Sequence, residues 1–179
     1  MVAAETVPVG TCADIPQGIQ DETVITDDAG RFLVPLVNAG RFTLTAEDPA
    51  TGRTSQVTGE VKPGQTGEFS IRLLGLSAVT IKVRGSDSTT PIPGARVEVQ
   101  QLGFPAKFIM SLADASGTLV LDGRDAFSEG ELVITATDLR PGFGFTGRAS
   151  GRVSRDGENV TITVYLFNQS GTVFATVFG

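Results

Sequence analysis

The side chains that could do chemistry in this chain are carboxylates, because histidine is absent from all 179 residues. Without histidine, general acid–base catalysis would depend on Asp or Glu. The aspartates in question stand at predicted turns: Asp27, Asp28, Asp48, Asp114, Asp138 and Asp156. An aspartate in a turn commonly accepts hydrogen bonds from nearby backbone N–H groups, which gives these positions a structural role. The sequence therefore predicts a chain that is not an enzyme and has no catalytic residues.

The sequence contains few candidate residues for metal binding or thiol chemistry. Calcium binds clustered oxygen ligands, which Asp27-Asp28 or the neighbourhood of Glu47-Asp48 could supply. Neither stretch has the ligand spacing of an EF-hand or a nonapeptide repeat, so we predict no metal site and no cofactor, and leave a weak calcium site open. Cys12 is the single cysteine. A lone cysteine is most often a small packed hydrophobe, with a reactive thiol or an interchain bridge as the alternative.

Composition narrows the class of protein. The chain has 14 Lys and Arg against 20 Asp and Glu, a net charge of −6, which gives no reason to expect nucleic acid or an anionic membrane as partner. Hydrophobic residues make up 40% of the chain, enough to build cores despite 22 Gly and 9 Pro. No run approaches the ~18 apolar residues of a membrane span. The length suits one large or two small globular domains.

The elements that would position these residues are β-strands. Alternating apolar residues bounded by Gly, Asp and Asn predict a hairpin within residues 26–48, with strands at 31–35 and 41–46. Further alternation predicts strands at 7–9, 55–61, 68–73, 79–83, 94–99, 118–121, 131–137, 146–153 and 159–165, whereas 12–22 reads as a loop. The predicted core residues are Phe42, Leu44, Phe69, Ile71, Leu132, Ile134, Val160 and Ile162.

The chain repeats itself once. Gly30 corresponds to Gly117 and Gly40 to Gly130, at spacings of 87 and 90 residues, and loop insertions account for the growing spacing. Self-similarity of this kind indicates duplicated structural units. We therefore predict two tandem all-β domains, residues 1–75 and 76–168, with a junction at Gly75.

The two ends of the repeat do not match. Strand 79–83 opens the second unit, but the first unit has no counterpart to it, while residues 169–179 match the start of a further repeat at a spacing of 94. One explanation is a chain cut from a longer array. The other is donation of the last strand to a neighbouring subunit. The inward residues of that strand would be Val173, Ala175 and Val177, with Phe174 and Phe178 on the opposite face.

The hairpin motif resembles a known family. Thr26-Asp27-Asp28-Ala29-Gly30-Arg31-Phe32, then Pro35 and Ala39-Gly40-Arg41-Phe42, is similar to the carboxypeptidase regulatory-like, or transthyretin-like, domains. The second unit adds Pro91–Val97 and the turn 114–117, but has Leu119 and Leu132 where an aromatic is usual. The resemblance implies Greek-key, immunoglobulin-like β-sandwiches in secreted or surface proteins of bacteria.

The chain also resembles surface adhesin repeats that carry an isopeptide crosslink. Such repeats need a lysine on the first strand, an acid in mid-sheet and an asparagine on the last strand. Lys82 and Asn168 could be the two ends of the bond, but Ala46 and Ala136 stand where the acid is required. We therefore do not predict an isopeptide.

These observations predict an extracellular structural module: a spacer, or a subunit of a bacterial surface assembly that polymerises through its last strand. Its partners would be copies of itself or neighbouring domains. Residues 1–5 do not form a signal peptide, so either the protein is intracellular or its signal peptide was removed. The resemblance to secreted and surface domains favours removal. The alternative is a carbohydrate- or protein-binding accessory module, and the absence of Trp weakens the carbohydrate version.

Phe143 and Phe145, on a glycine-rich loop, either form an exposed contact or pack back onto the sandwich.

Overall fold

The computed structural model describes residues 2–7, 20–35, 37–142 and 144–167. Over these residues the protein is all-β, with a single 3-10 turn of helix at Gly123–Asp125. It divides into two compact units, Met1–Gly75 and Leu76–Gly179. None of the described segments forms a helix with the length and apolarity needed to cross a membrane.

The first unit is built on one antiparallel sheet. Its strand order is β2-β1-β3-β4. The strands are β1 (Val2–Val7), β2 (Gln20–Val24), β3 (Gly40–Asp48) and β4 (Arg53–Val61). The tight turn that joins β3 to β4 is closed by the Asp48 side chain, which accepts hydrogen bonds from the Ala50 N–H at 2.9 Å and the Thr51 hydroxyl at 2.5 Å.

The core of the first unit lies on one face of this sheet. Phe42 and Leu44 project from β3 and are buried, as the alternation predicts. Half-buried side chains pack on them from β4 and from two flanking segments: Phe32, Val34, Val57, Val61, Phe69 and Ile71. The rings of Phe42 and Phe69 meet edge to face, with centroids 4.7 Å apart. A Cβ on Gly59 would lie 2.5 Å from Phe69 and 2.6 Å from Phe42, so a residue without a side chain is needed beneath this pair.

Three predicted elements of the first unit are corrected by the structure. Residues 31–35 and 68–73 belong to no strand, although both were expected to form one. Their alternating apolar side chains pack on the core, but a strand also requires a hydrogen-bonded neighbour, and no described strand lies beside them. Residues 20–22, expected in a loop, begin β2 because β1 offers them an antiparallel partner.

The second unit is a β-sandwich of two sheets. One sheet has the order β11-β10-β6-β7; in the other, β5 lies between β12 and β8, and the short β9 pairs with the start of β5. The strands are β5 (Leu76–Gly85), β6 (Arg96–Leu102), β7 (Lys107–Leu112), β8 (Thr118–Leu121), β9 (Phe127–Ser128), β10 (Gly130–Thr137), β11 (Thr146–Val153) and β12 (Asn159–Leu166).

The two sheets of the second unit enclose one apolar core. Its central strand β5 contributes Val79, Ile81 and Val83, all fully buried. Of the predicted core residues of the other strands, Leu132 and Ile134 are fully buried and Ile162 is buried, as expected. Val160 was also expected to be buried, but it is only half-buried against the cluster.

The first unit reproduces one of these two sheets. Its order β2-β1-β3-β4 corresponds to β7-β6-β10-β11, and the pairing of Val2 with Ala46 corresponds to that of Val97 with Ala136. The other sheet of the second unit has no equivalent ladder among the described residues of the first. In the second unit β5 hydrogen-bonds to both of its neighbours, so a sheet of this kind cannot form without its central strand.

The core of the first unit makes a first prediction. Phe42→Ala should lower the free energy of unfolding of that unit by about 3–5 kcal/mol, because a buried ring and its contacts are lost. Phe69→Ala should cost less, since Phe69 is only half-buried. Denaturant unfolding measures both, with Val120→Ala, at an exposed site on β8, as the control. A loss below about 1 kcal/mol for Phe42→Ala would contradict the packing described here.

Candidate functional site

The described residues of the first unit form an apolar groove of about 1220 Å³. Phe42, Leu44 and Ala46 of β3 line it, so the groove opens onto the inner face of the sheet. Its other lining comes from the two segments that were expected to be strands, with Phe32 and Val34 from one and Phe69, Ile71 and Leu73 from the other. We call this feature the acceptor groove.

The position of the acceptor groove follows from the internal repeat. At the spacing of 87 residues between Gly30 and Gly117, segment 31–34 corresponds to β8. At the spacing of 91 residues between Phe69 and Val160, segment 68–73 corresponds to the first part of β12. In the second unit β5 lies between those two strands, antiparallel to β8 and parallel to β12. Ile81 there is paired with Leu119 and Ile162. The groove therefore corresponds to the place that β5 occupies in the second unit.

Two glycines at equivalent turns, Gly117 and Gly30, have different surroundings in the two units. Gly117 has a φ of +66°, and a Cβ on it would lie 2.8 Å from the Val83 carbonyl oxygen and 2.8 Å from the Ile92 nitrogen. The carbonyl of Gly117 also accepts a hydrogen bond from the Val83 N–H at 2.7 Å. Gly30, at the equivalent turn, has a φ of +73°, but no atom of the described residues lies within 4 Å of such a Cβ. The turn is the same, and none of the described strands closes onto it.

Charged residues of both signs line the acceptor groove, so it does not select a charged ligand. Arg31 and Lys62 are cationic, and Glu47, Asp48 and Glu68 are anionic. The Thr51 hydroxyl and the Ala50 N–H lower the pKa of Asp48 by hydrogen bonding to its carboxylate. The apolar lining of the groove could instead be covered by the apolar side chains of a β-strand.

The aspartates singled out in the sequence hold turns together. Asp27 accepts hydrogen bonds from the N–H groups of Ala29 and Arg31 at 2.9 and 2.8 Å. Its counterpart Asp114 accepts them from Ser116 and Thr118 at 2.8 and 2.9 Å.

The remaining aspartates have comparable positions. Asp138 is buried and accepts hydrogen bonds from the backbone and the guanidinium of Arg140, which together lower its pKa. Asp156 accepts one from the Leu76 N–H at 3.0 Å, and Asp28 is an exposed turn residue.

The described residues contain no group of three or more His, Cys, Asp or Glu side chains that could hold a metal ion. Cys12 and Asn168 lie outside these residues. Lys82 is exposed on β5 and alternates with the buried Ile81 and Val83, so it does not enter the core.

The predicted contact residues fall in different places. Phe145 is half-buried against the core of the second unit, which corresponds to the packed alternative for its loop. Phe143 lies outside the described residues. So do the predicted strand-donation residues Val173, Phe174, Ala175, Val177 and Phe178.

Sequence reasoning missed one exposed apolar row. Phe108, Met110 and Leu112 lie on the outer face of β7 and are 61%, 59% and 57% exposed. The alternation of residues 107–112 was the available signal, but an alternating pattern does not say which of its two faces is covered.

Comparisons with known proteins give no family. No protein-family model matches the chain, and no curated protein matches it. Among solved structures, the Bacillus anthracis TIE protein is 16% identical over 92% of this chain and 30% of its own, with a TM-score of 0.42. An (S)-allantoin synthase is 16% identical over 54% of this chain and 44% of its own, with a TM-score of 0.36. The chain thus spans less than half of either protein.

One of these matches contradicts the prediction that the chain is not an enzyme, because (S)-allantoin synthase is an enzyme by its name. The low identity, the partial coverage and the TM-score assign no activity to this chain. Absence of catalysis is therefore not part of the function proposed below.

The aspartate turns make a second prediction, which concerns pH. Asp87 accepts hydrogen bonds from the Thr90 hydroxyl and from the N–H groups of Thr90 and Thr89, and these lower its pKa to about 2. Because the folded pKa lies below the unfolded value of about 3.9, this carboxylate contributes stability above pH 3.9 that is lost as the pH falls towards 2. Asp87→Asn should reduce the pH dependence of stability in that window.

The measurement is the unfolding midpoint of the second unit between pH 2 and pH 5, together with an NMR titration of the Asp87 carboxyl carbon. Asn keeps one acceptor oxygen in the turn, so any change reports the charge more than the shape. A carboxyl that titrates near 4, or an unchanged pH dependence in the variant, would contradict this assignment.

Proposed function

We propose that this chain is an extracellular structural module, a spacer or subunit of a bacterial surface assembly, built from two transthyretin-like β-sandwich units. The observation that carries the proposal is the acceptor groove. It lies where the second unit has a central strand, and its lining segments correspond to the two neighbours of that strand. In this proposal a strand from a neighbouring copy completes the first unit.

The donated strand is residues 172–178, which we call the donor segment. At the spacing of 94 residues, its Val173, Ala175 and Val177 correspond to Val79, Ile81 and Val83 of β5. The donor segment enters antiparallel to residues 31–34 and parallel to residues 68–73, as β5 does with β8 and β12.

The side chains of donor and acceptor are matched in size. In the register of β5, Ala175 lies between Phe32 and Ile71, where the second unit has Ile81 between Leu119 and Ile162. The acceptor is larger at one position, Phe in place of Leu, and the donor is smaller, Ala in place of Ile. Compensating changes of this kind conserve core volume, which is what a well-packed interior tolerates best.

Strand donation of this type joins copies of the chain directly, with no additional protein. Backbone pairing along the donor segment supplies affinity, and the alternating side chains set its register. The contact is head-to-tail, because the donor follows the second unit while the acceptor is in the first. Head-to-tail contacts produce fibres unless the rotation between copies closes a ring. Phe174 and Phe178, on the other face of the donor segment, then add an apolar contact to the joined copies.

A second candidate function is a protein-binding accessory module of a secreted multidomain protein. The apolar row Phe108, Met110 and Leu112 favours it, because exposed rows of this kind mark interaction sites. A carbohydrate-binding role has less support, since the chain has no Trp and its single tyrosine is Tyr165. Binding of a glycan that is unaffected by deletion of the donor segment would favour the carbohydrate version instead.

The proposal makes a third prediction. Deletion of residues 170–179 should abolish head-to-tail multimers of the intact chain, because no copy then has a donor. A synthetic peptide with the sequence of residues 170–179 should bind the truncated chain, and the same peptide with Ala175→Arg should not, since a charge would enter an apolar groove. Sedimentation velocity measures the first result and fluorescence anisotropy of a labelled peptide the second.

These measurements also test the competing explanation. If the intact chain sediments at the same rate as the truncated one at micromolar concentration, and the peptide does not bind, then strand donation is wrong.

The size match makes a fourth prediction. A peptide with Ala175→Phe should bind the truncated chain at least tenfold more weakly, because the extra ring overpacks the space beside Phe32. Phe32→Ala in the acceptor should restore binding of that peptide and weaken binding of the unmodified one. Equal losses for both peptides on the Phe32→Ala chain would show that residues 32 and 175 do not meet.

A further inference from the structure

The outer edge of β7 combines an apolar row with open backbone groups. β7 is the last strand of its sheet, and no strand in the described part of the chain pairs with its outer edge. Ala113 donates its N–H to the carbonyl of Ala95 at 2.9 Å. Because antiparallel ladders alternate, Lys107, Ile109 and Ser111 then direct their backbone groups towards β6. The backbone groups of the exposed residues, Phe108, Met110 and Leu112, point outwards along the open edge.

The opposite edge of the same sheet is built differently. β11 carries Arg148 and Arg152 on its exposed face, and Arg152 pairs with Glu131 on β10 at 3.6 Å. Charged side chains are a common means of preventing edge-to-edge pairing. The exposed apolar row is therefore specific to β7, and the fold of the sheet does not require it.

The single charge on β7 does not protect its edge. The Lys107 ammonium donates hydrogen bonds to the carbonyl oxygens of Arg124 at 2.9 Å and Ala126 at 2.6 Å, and it lies 5.1 Å from the centroid of the Phe127 ring. On the adjacent strand, Arg96 and Glu98 pair with each other at 3.1 Å and present no net charge. Nothing described along this edge would repel a second strand.

We infer that β7 is a homodimer interface, in which two copies of the chain pair their β7 strands antiparallel about Met110. The row is self-complementary about this residue. Phe108 of one copy lies opposite Leu112 of the other, and Met110 lies opposite its own counterpart. These are also the residues whose backbone groups point outwards, so the side-chain register and the hydrogen-bond register coincide.

A shift of this register by one residue would lose the backbone bonds. It would place Ile109, whose backbone groups are directed towards β6, opposite the outward groups of a partner residue. The interface also closes on itself, since a two-fold axis uses the same surface of both copies. By itself, pairing of β7 therefore stops at a dimer, and it does not depend on the proposed strand donation.

The interface is small. Complete burial of these three side chains, each about three-fifths exposed, would remove at most roughly 700–800 Å² over the two copies, below the about 1,200 Å² at which stable interfaces begin. We therefore expect a reversible dimer with a dissociation constant of roughly 10–300 µM. A crowded surface assembly would populate such a contact, whereas dilute solution would not.

Charge complementation at residue 110 tests the inference. The full-length chain carries Ala175→Arg in every sample, so that strand donation does not add to the signal. Met110→Lys and Met110→Glu each place two like charges at the two-fold axis and should weaken dimerisation at least tenfold. An equimolar mixture of the two variants should recover a dimer, because opposite charges then meet. Val120→Lys, on an apolar site of β8 with 54% exposure, is the matched control and should dimerise like the parent.

Sedimentation velocity from about 1 to 300 µM follows the equilibrium across the expected micromolar range. Circular dichroism checks that the variants fold, and Leu112→Ser serves as a second, uncharged variant that should also weaken the dimer. The inference is overturned if the parent stays monomeric over the whole range, which would leave the row to a different protein. It is equally overturned if the Val120→Lys and Met110→Lys chains associate alike, or if the mixture fails to recover a dimer.

Discussion

The central position of β5 is the constraint on which the second unit depends. This strand hydrogen-bonds to β12 on one side and to β8 on the other, and it places Val79, Ile81 and Val83 in the middle of the core. Its neighbours have no direct ladder with each other in the sheet order. A sheet of this type therefore exists only while its middle strand is present, because backbone pairing is a relation between neighbours.

In the first unit, no described strand occupies the position that corresponds to β5. The four-stranded sheet keeps its order and register, and Phe42 and Leu44 are still buried. The segments that correspond to β8 and β12 still pack their apolar side chains on this core, but they are half-buried and form no ladder. Apolar packing thus places these segments against the core, and the apolar surface left between them is the acceptor groove.

The two proposed contacts between copies would be stabilised by different interactions. A strand in the acceptor groove would be held by a buried core on one face, whereas pairing along β7 would be held by exposed side chains and backbone bonds at an edge. The first contact is head-to-tail and extends, and the second is two-fold and closes.

The sequence by itself determined the features that depend on near neighbours. Alternation identified the inward faces of β3 and β10, with Phe42, Leu44, Leu132 and Ile134 as core residues, because side chains of a strand change face at every residue. The aspartates were assigned to turns for an equally local reason, since an aspartate bonds to backbone groups two to four residues away.

Only the tertiary structure decided which apolar segments become strands and which faces stay exposed. Segments 31–35 and 68–73 alternate as clearly as β10 does, yet they lack a paired neighbour, and residues 20–22 gained one from β1. The pattern of β7 likewise has two faces, and only the packing of the second unit shows that Phe108, Met110 and Leu112 lie on the uncovered one. Pairing and burial join residues that are distant in the chain, so a local pattern cannot specify them.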